Sequence, residues 1–302
     1  MAIVISKNMS RRGFVKGSLA ALGMAVVSSG YSSPDSQVIS KEQLPVRWAL
    51  LSDVHIPEDV TNNYRGFFPH KNLEAIVPQV ISHAPDTVAI TGDLARLTGQ
   101  IGDYKNLKKL LTPLSEKAPV FISLGNHDHR ENFFKVFEAL PEKRQSVADK
   151  YVVVAENPPI RVIMLDSLLY TNKAAGLLGK AQRQWLANYL SRDDNTPTIL
   201  CFHHTIADGD EDLLDLPRLY DIIVPISKVK AVIYGHSHVY GFSEYKGIHQ
   251  INLPATGYNF NDKDPVGWVE AQWTAKGGDF ILHATAGNRD KDGTVTKLTW
   301  RS

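Results

Sequence analysis

Five short apolar runs of this chain each end in metal-binding residue types, and that regularity limits the possible folds more than any other feature. The run 46–52 (VRWALLS) leads to Asp53 and His55. The run 87–91 (TVAIT) leads through Gly92 to Asp93, and 120–124 (VFISL) through Gly125 to Asn126, His127 and Asp128. The run 198–202 (TILCF) leads to His203 and His204, and 229–234 (VKAVIY) through Gly235 to His236 and His238. Seven of the eleven histidines fall in or beside these segments, a clustering that chance placement does not produce. Each run has the length and composition of a buried strand, with helical spacing in 72–83, 101–115, 131–140, 179–191 and 216–227, and a sixth run at 160–166. Strands alternating with helices predict an α/β sheet, whose ligands bind beyond the carboxyl ends of the strands. From Tyr240 onward, five alternating runs with turns between them predict an antiparallel sheet. No repeat, linker or low-complexity tract divides residues 44–302, so one domain is expected there.

The residue types suggest the chemistry. In an extended segment, the paired side chains of D-x-H and H-x-H point the same way, toward one ion or two ions held close together. Carboxylate, imidazole and amide donors together suit manganese, iron, zinc or cobalt better than calcium or copper(I). Asp93 stands alone at its strand end, where it can bridge two ions. Two such ions, roughly 3.5–4 Å apart, clamp a phosphoryl group and generate a hydroxide between them. Any one of these motifs is weak evidence; five in this arrangement are specific. Ser237 is no nucleophile elbow, because Val239 occupies the position that needs glycine. Cys201 lies within an apolar run and reads as a buried, inert thiol. As the single cysteine, it excludes an intrachain disulfide and any four-cysteine metal site. The acidic run Asp208, Asp210, Glu211 and Asp212 reads as a solvated loop. His70, His83, His249 and His283 lie outside the motifs and are assigned no role.

The 302 residues are 43% hydrophobic and 22% charged, an ordinary globular balance. A formal charge of +1 gives no basic surplus for general nucleic-acid binding. Residues 1–33 differ from the rest. A basic segment, 10–16 (SRRGFVK), precedes a mildly apolar stretch at 17–27 and small or polar residues at 28–33. That order is a secretory signal. Arg11 and Arg12, with Ser10 before them and Phe14 and Lys16 after, resemble a twin-arginine signal. This implies export in folded form by the twin-arginine machinery to the periplasm or another extracytoplasmic space. The four bases of this segment, with no acid beside them, take the remainder of the chain from +1 to −3. No apolar run reaches the roughly 18 residues that span a bilayer, and no cysteine lies nearby for lipidation, so no stable membrane anchor is expected.

The series D-x-H, G-D, G-N-H-D, H-H and G-H-x-H resembles the calcineurin-like metallophosphoesterase superfamily, over residues from about 46 to 240. The resemblance implies a sandwich of two mixed sheets flanked by helices, with two divalent ions (manganese, iron, zinc or cobalt) at one edge. It implies that Asp53, His55 and His238 hold one ion and Asn126, His203 and His236 the other, with Asp93 bridging. His204 is the less expected of the two adjacent histidines as ligand, and is a weak substrate-binding candidate. His127 would face the substrate phosphate as a catalytic group, with Asp128 behind it as orienting partner. The reaction implied is hydrolysis of a small-molecule phosphate ester by a hydroxide bridging the ions. The purple acid phosphatases carry a tyrosine three residues after the bridging aspartate, where this chain has Arg96. The segment 125–130 (GNHDHR), followed by Phe133, is similar to bacterial phosphodiesterases acting on cyclic nucleotides or glycerophosphodiesters, with His129 and Arg130 expected at the pocket rim. A phosphodiesterase is the leading expectation. A phosphomonoesterase of the same fold and a non-catalytic metal-binding module are the alternatives. An exported redox protein is suggested only by the signal, and no nucleotide or cysteine-cluster motif supports it.

Overall fold

The computed structural model describes residues 4–5, 45–137 and 144–302. Fourteen strands and five helices are assigned within them. The twin-arginine pair and nearly all of the expected signal lie outside the described residues.

The first sheet is built on three parallel strands, β2 (Val46–Leu51), β3 (Thr87–Ile90) and β4 (Val120–Ile122). The two-residue β1 (Val4–Ile5) pairs antiparallel with β4, and β12 (Pro265–Thr274) pairs antiparallel with β2. The strands β13 (Gly277–Gly287) and β14 (Val295–Thr299) continue that side, giving the order β1-β4-β3-β2-β12-β13-β14. The second sheet has the order β10-β11-β9-β8-β7-β6-β5. Its parallel centre is β7 (Ile160–Met164), β8 (Thr198–Cys201), β9 (Val229–Tyr234) and β11 (Ile248–Asn252). The antiparallel strands β5 (Arg144–Val147) and β6 (Lys150–Asn157) lie at one edge and β10 (Gly241–Tyr245) at the other. Two mixed sheets flanked by helices are the expected architecture.

Three of the helices follow strands of the first sheet: α1 (Pro69–Ser82), α2 (Ile101–Ser115) and α3 (Arg130–Val136). Pro69 starts α1 at a position that needs no N–H donor. Asp103 closes the start of α2 by accepting from the Gln100 N–H at 2.9 Å. The helices α4 (Lys180–Leu190) and α5 (Leu216–Ile223) serve the second sheet. One apolar cluster fills the sandwich and the space beneath α1 and α2, with Trp48 stacked on Phe121 and both fully buried. A second cluster joins α4 and α5 to the second sheet through Leu186, Leu190, Leu219 and Ile223. Central strands buried on both faces explain why these runs are continuously apolar. No helix among the described residues is long and apolar enough to cross a membrane.

Two features depart from the sequence reading. The tail is not one antiparallel sheet: β10 and β11 join the second sheet, where β11 lies parallel to β9, and β12–β14 extend the first. Alternation along a strand specifies which face is buried but not which neighbour it pairs with. The hairpin β5–β6 has no counterpart in the sequence pattern, although Tyr151, Val152 and Val153 are buried.

Candidate metal centre

The parallel strands of both sheets deliver their following loops to one edge of the sandwich. Both the Asp53–His55 and His236–His238 segments leave the extended conformation immediately after their strands. Asp53, His55, Asp93, His236 and His238 have φ of 52°, 47°, 46°, 71° and 58°. Left-handed backbone at non-glycine residues costs free energy and gathers at functional sites. Here five of the seven candidate ligands carry it. The side chains of D-x-H and H-x-H are therefore not brought together by the pleat of an extended strand. The pairs converge by tight turning, and the two histidines of H-x-H go to different clusters.

In the first cluster, His238 Nε2 lies 3.3 Å from Asp53 Oδ1 and 3.1 Å from His55 Nε2. In the second, His203 Nε2 lies 3.3 Å from Asp93 Oδ1, 3.1 Å from Asn126 Oδ1 and 3.2 Å from His236 Nδ1. The other Asp93 oxygen, Oδ2, lies 3.7 Å from His55 Nε2. One carboxylate thus presents an oxygen to each cluster. Donor atoms bonded to a tetrahedral ion at 2.0–2.1 Å sit about 3.3 Å apart, so this spacing suits cations.

Backbone carbonyls select the ring nitrogen that faces inward. His238 Nδ1 is 2.6 Å from the Tyr258 carbonyl, His203 Nδ1 is 3.2 Å from that of Thr91, and His236 Nε2 is 3.1 Å from that of Glu211. A ring nitrogen that donates to a carbonyl leaves the opposite nitrogen as a ligand. These carbonyls carry no side-chain signal and were invisible to motif reading. Asp53 is also fixed at the back, accepting from Ser52 Oγ and from the His236 N–H at 3.1 Å.

Electrostatics agree with a cation site. Burial opposes charge on Asp53 and Asp93, yet the imidazoles of His238 and His203 hold both carboxyls well below their usual range. Burial pushes His55 down to about 3 and, with His203 adjacent, His236 down to about 4. Burial also acts against charge on His203, but Asp93 and Asp53 outweigh it and hold that imidazole up to about 9. The donor set of two carboxylates, four imidazoles and one amide fits divalent transition ions.

The remaining candidates separate into two groups. His127 belongs at the centre: its Nε2 lies 3.9 Å from Asp93 Oδ2, and its Nδ1 is 2.8 Å from the Leu97 carbonyl. The orienting partner of His127 is thus that carbonyl, and the role expected of Asp128 is corrected. Asp128 is fully buried and accepts from the N–H groups of Gly125, Leu94 and Ala95 and from the Tyr104 hydroxyl, at 2.8 to 3.2 Å. It ties the loop after β4 to the loop after β3. Burial and the nearby Asp93 push its carboxyl up to about 7.

The rim expected of His129 and Arg130 is not formed by them. His129 caps α3, and Arg130 turns inward to Asp166 with contacts of 2.9 and 3.0 Å. Asp166 is fully buried and also faces Lys150 Nζ at 3.9 Å. His204 is buried against Ser167 Oγ at 2.7 Å and does not reach the substrate side, which also settles which adjacent histidine faces Asp93. Burial raises the Cys201 thiol far above its ordinary value, as an inert thiol requires.

A cleft of about 350 Å³ opens over the centre, lined by Asp93, Asn126, His127, Glu211, Asp212, His236, His238 and Phe260. Phe260, about half exposed, stacks on His238 at 4.3 Å. Arg96 stands over the rings of Tyr64 and Tyr258 at 5.0 and 5.3 Å. A larger cleft of about 920 Å³, between the 206–217 loop, α5 and β10, contains no imidazole and is not the chemical centre.

The family described as calcineurin-like phosphoesterase matches residues 46–240. This chain belongs to that family. The phosphoesterase is 27% identical over 224 residues to a "probable cyclic nucleotide phosphodiesterase" of Ruthia magnifica subsp. Calyptogena magnifica, covering 72% of this chain and 89% of the relative. It is 28% identical over 197 residues to a "probable glycerophosphodiester phosphodiesterase GpdQ" of Arcobacter nitrofigilis, covering 62% and 70%. Among solved structures, a dimetal phosphatase from Danio rerio superimposes with a TM-score of 0.66 at 14% identity, over 85% of this chain and 100% of that one. The phosphoesterase therefore has the fold of that family, and divalent metal ions are its implied cofactors.

Proposed function

We propose that the chain hydrolyses phosphodiesters at a centre of two divalent ions. Asp93 is the observation that carries this reading, with one oxygen toward His203 and the other toward His55. Asp53, His55 and His238 would hold one ion, and Asn126, His203 and His236 the other, with Asp93 shared. Bound there, the ions supply charge neutralisation for the phosphoryl oxygens and an acidified water. The protein's own residues position and protonate. His127 donates from Nδ1 to the Leu97 carbonyl, so a second proton taken up at Nε2 faces the cleft. That imidazolium stabilises charge on the phosphoryl group and gives its proton to the leaving oxygen.

Charge favours a diester over a monoester. Among the described residues no lysine or arginine lines the cleft, whereas Glu211 and Asp212 do. Those carboxylates offset more of the ions' attraction for a dianionic monoester than for a monoanionic diester. The names of the relatives, covering cyclic nucleotides and glycerophosphodiesters, support the same class. Residues 1–33 are proposed as a twin-arginine export signal and 44–302 as the catalytic domain. Delivery outside the cytoplasm favours scavenging of phosphate esters over turnover of an intracellular messenger.

The test is turnover by manganese-loaded protein of bis-para-nitrophenyl phosphate against para-nitrophenyl phosphate. The reading requires a higher kcat/KM for the diester. Monoester preference, or no turnover with any divalent metal, would overturn it.

A further inference from the structure

Two of the histidines assigned no role meet in the structure. His83 closes the C-terminus of α1, and His283 lies on β13 with its ring stacked on Trp268 at 4.1 Å. Both face Glu270 of β12. Glu270 Oε1 accepts from the Gln272 side-chain amide at 2.8 Å, which fixes the carboxylate plane. Its Oε2 turns to both imidazoles, 2.7 Å from His83 Nδ1 and 3.6 Å from His283 Nε2. The His283 Nε2 atom is buried and has no hydrogen-bond partner among the described residues. The three ligand atoms lie within 4.8 Å of one another.

The protonation states suit a cation. Burial, with His83 adjacent, lowers His283 below its ordinary value, so it is neutral at physiological pH and keeps a ring lone pair free. Burial opposes charge on Glu270, but hydrogen bonds from Gln272 and His83 outweigh it and keep the carboxyl ionised. Metals bind ionised carboxylate and the lone pair of neutral imidazole, so an ion here replaces the proton that His83 Nδ1 donates to Glu270. Donors around a tetrahedral ion at 2.0–2.1 Å stand about 3.3 Å apart, so small side-chain rotations bring the trio into place. The His83 side chain, 39% exposed, has room to make that adjustment.

We propose that His83, Glu270 and His283 form a metal site separate from the phosphoesterase centre, which takes a borderline divalent ion such as Zn²⁺ or Co²⁺ and ties the end of α1 to β12 and β13. Two imidazoles and one carboxylate, with a position left for water, are a familiar zinc donor set.

The experiment compares the full chain with His83→Ala and Glu270→Gln after stripping and reloading with zinc chloride. Bound zinc is counted by mass spectrometry after gel filtration. Each variant should hold one zinc per chain fewer than the parent, with unchanged circular dichroism and unchanged turnover. Co²⁺ should quench a component of tryptophan fluorescence in the parent that both variants lack, because Trp268 lies against His283. Equal zinc content in all three proteins would overturn the site. Turnover lost together with the zinc would also contradict it, by showing that the ion belongs to the catalytic centre. Should Glu270→Gln not fold, His83→Ala at its partly exposed position decides the question. The parent-minus-variant difference remains readable whatever the phosphoesterase centre binds.

Discussion

Asn126 and His127 are sequence neighbours with different surroundings. The Asn126 amide oxygen faces His203, whereas His127 is held by the Leu97 carbonyl and opens to the cleft. His127→Ala should therefore keep its metal and lose about 10²–10⁴-fold in rate, as loss of a positioned acid does. Alkyl diesters should suffer more than nitrophenyl diesters, whose leaving group needs little protonation. Metal titration alongside turnover checks this, and rescue by added metal would identify His127 as a ligand instead. Protonation of the ligands gives a second prediction at this scale. His203 is held up to about 9, so between pH 5 and 8 it must surrender a proton when metal binds. His55 and His236, lowered to about 3 and 4, are already neutral there and release none. Apparent metal affinity should therefore rise with pH across this window, with His203 contributing one released proton. Isothermal titration in two buffers of different ionisation enthalpy measures that proton directly. Affinity that is flat with pH would mean His203 binds no proton to begin with.

At the scale of elements, the loops after the strands depend on backbone that side chains would obstruct. Only Gly92 of the three loop glycines has a positive φ, at 114°. A Cβ on Gly125 would collide with the Asp93 carboxylate, and one on Gly235 with Ser52 and Asp53. Gly125→Ala should displace the shared carboxylate and lower metal occupancy severalfold while the sheets persist, as metal analysis and circular dichroism would show. Full occupancy would mean that Asp93 has another position available. The strands themselves were legible because burial on both faces makes them continuously apolar, and the ligand segments were legible because they follow at once. The left-handed turns were not, since Asp and His leave no mark of φ in a sequence. Asp128 read as a catalytic partner because it adjoins His127, whereas three N–H groups from two loops determine its role. Arg130 read as a rim residue because nothing local announces Asp166, 36 positions later. The pairing of β11 with β9 and the meeting of His83, Glu270 and His283 join distant elements, and no spacing rule reaches that far.

Across the whole molecule, both sheets place their parallel strands so that seven donors from five loops meet at one edge, and the segment beyond the family match still contributes. Tyr258, outside residues 46–240, supplies the carbonyl that orients His238. Truncation after residue 240 would remove that carbonyl and also β12, the neighbour of β2. The proposed export belongs to this scale, because a twin-arginine signal would carry a folded, metal-loaded protein. Replacing Arg11 and Arg12 together by lysine should retain the folded protein in the cytoplasm, as cell fractionation would show, and unchanged export would remove the assignment. Asp93 is proposed to join two ions into one centre. Electron paramagnetic resonance of protein loaded with two equivalents of Mn²⁺ tests it most directly. The parent protein should give an exchange-coupled spectrum that Asp93→Ala loses. A six-line spectrum of isolated ions in the parent protein, or coupling that survives in Asp93→Ala, would contradict it.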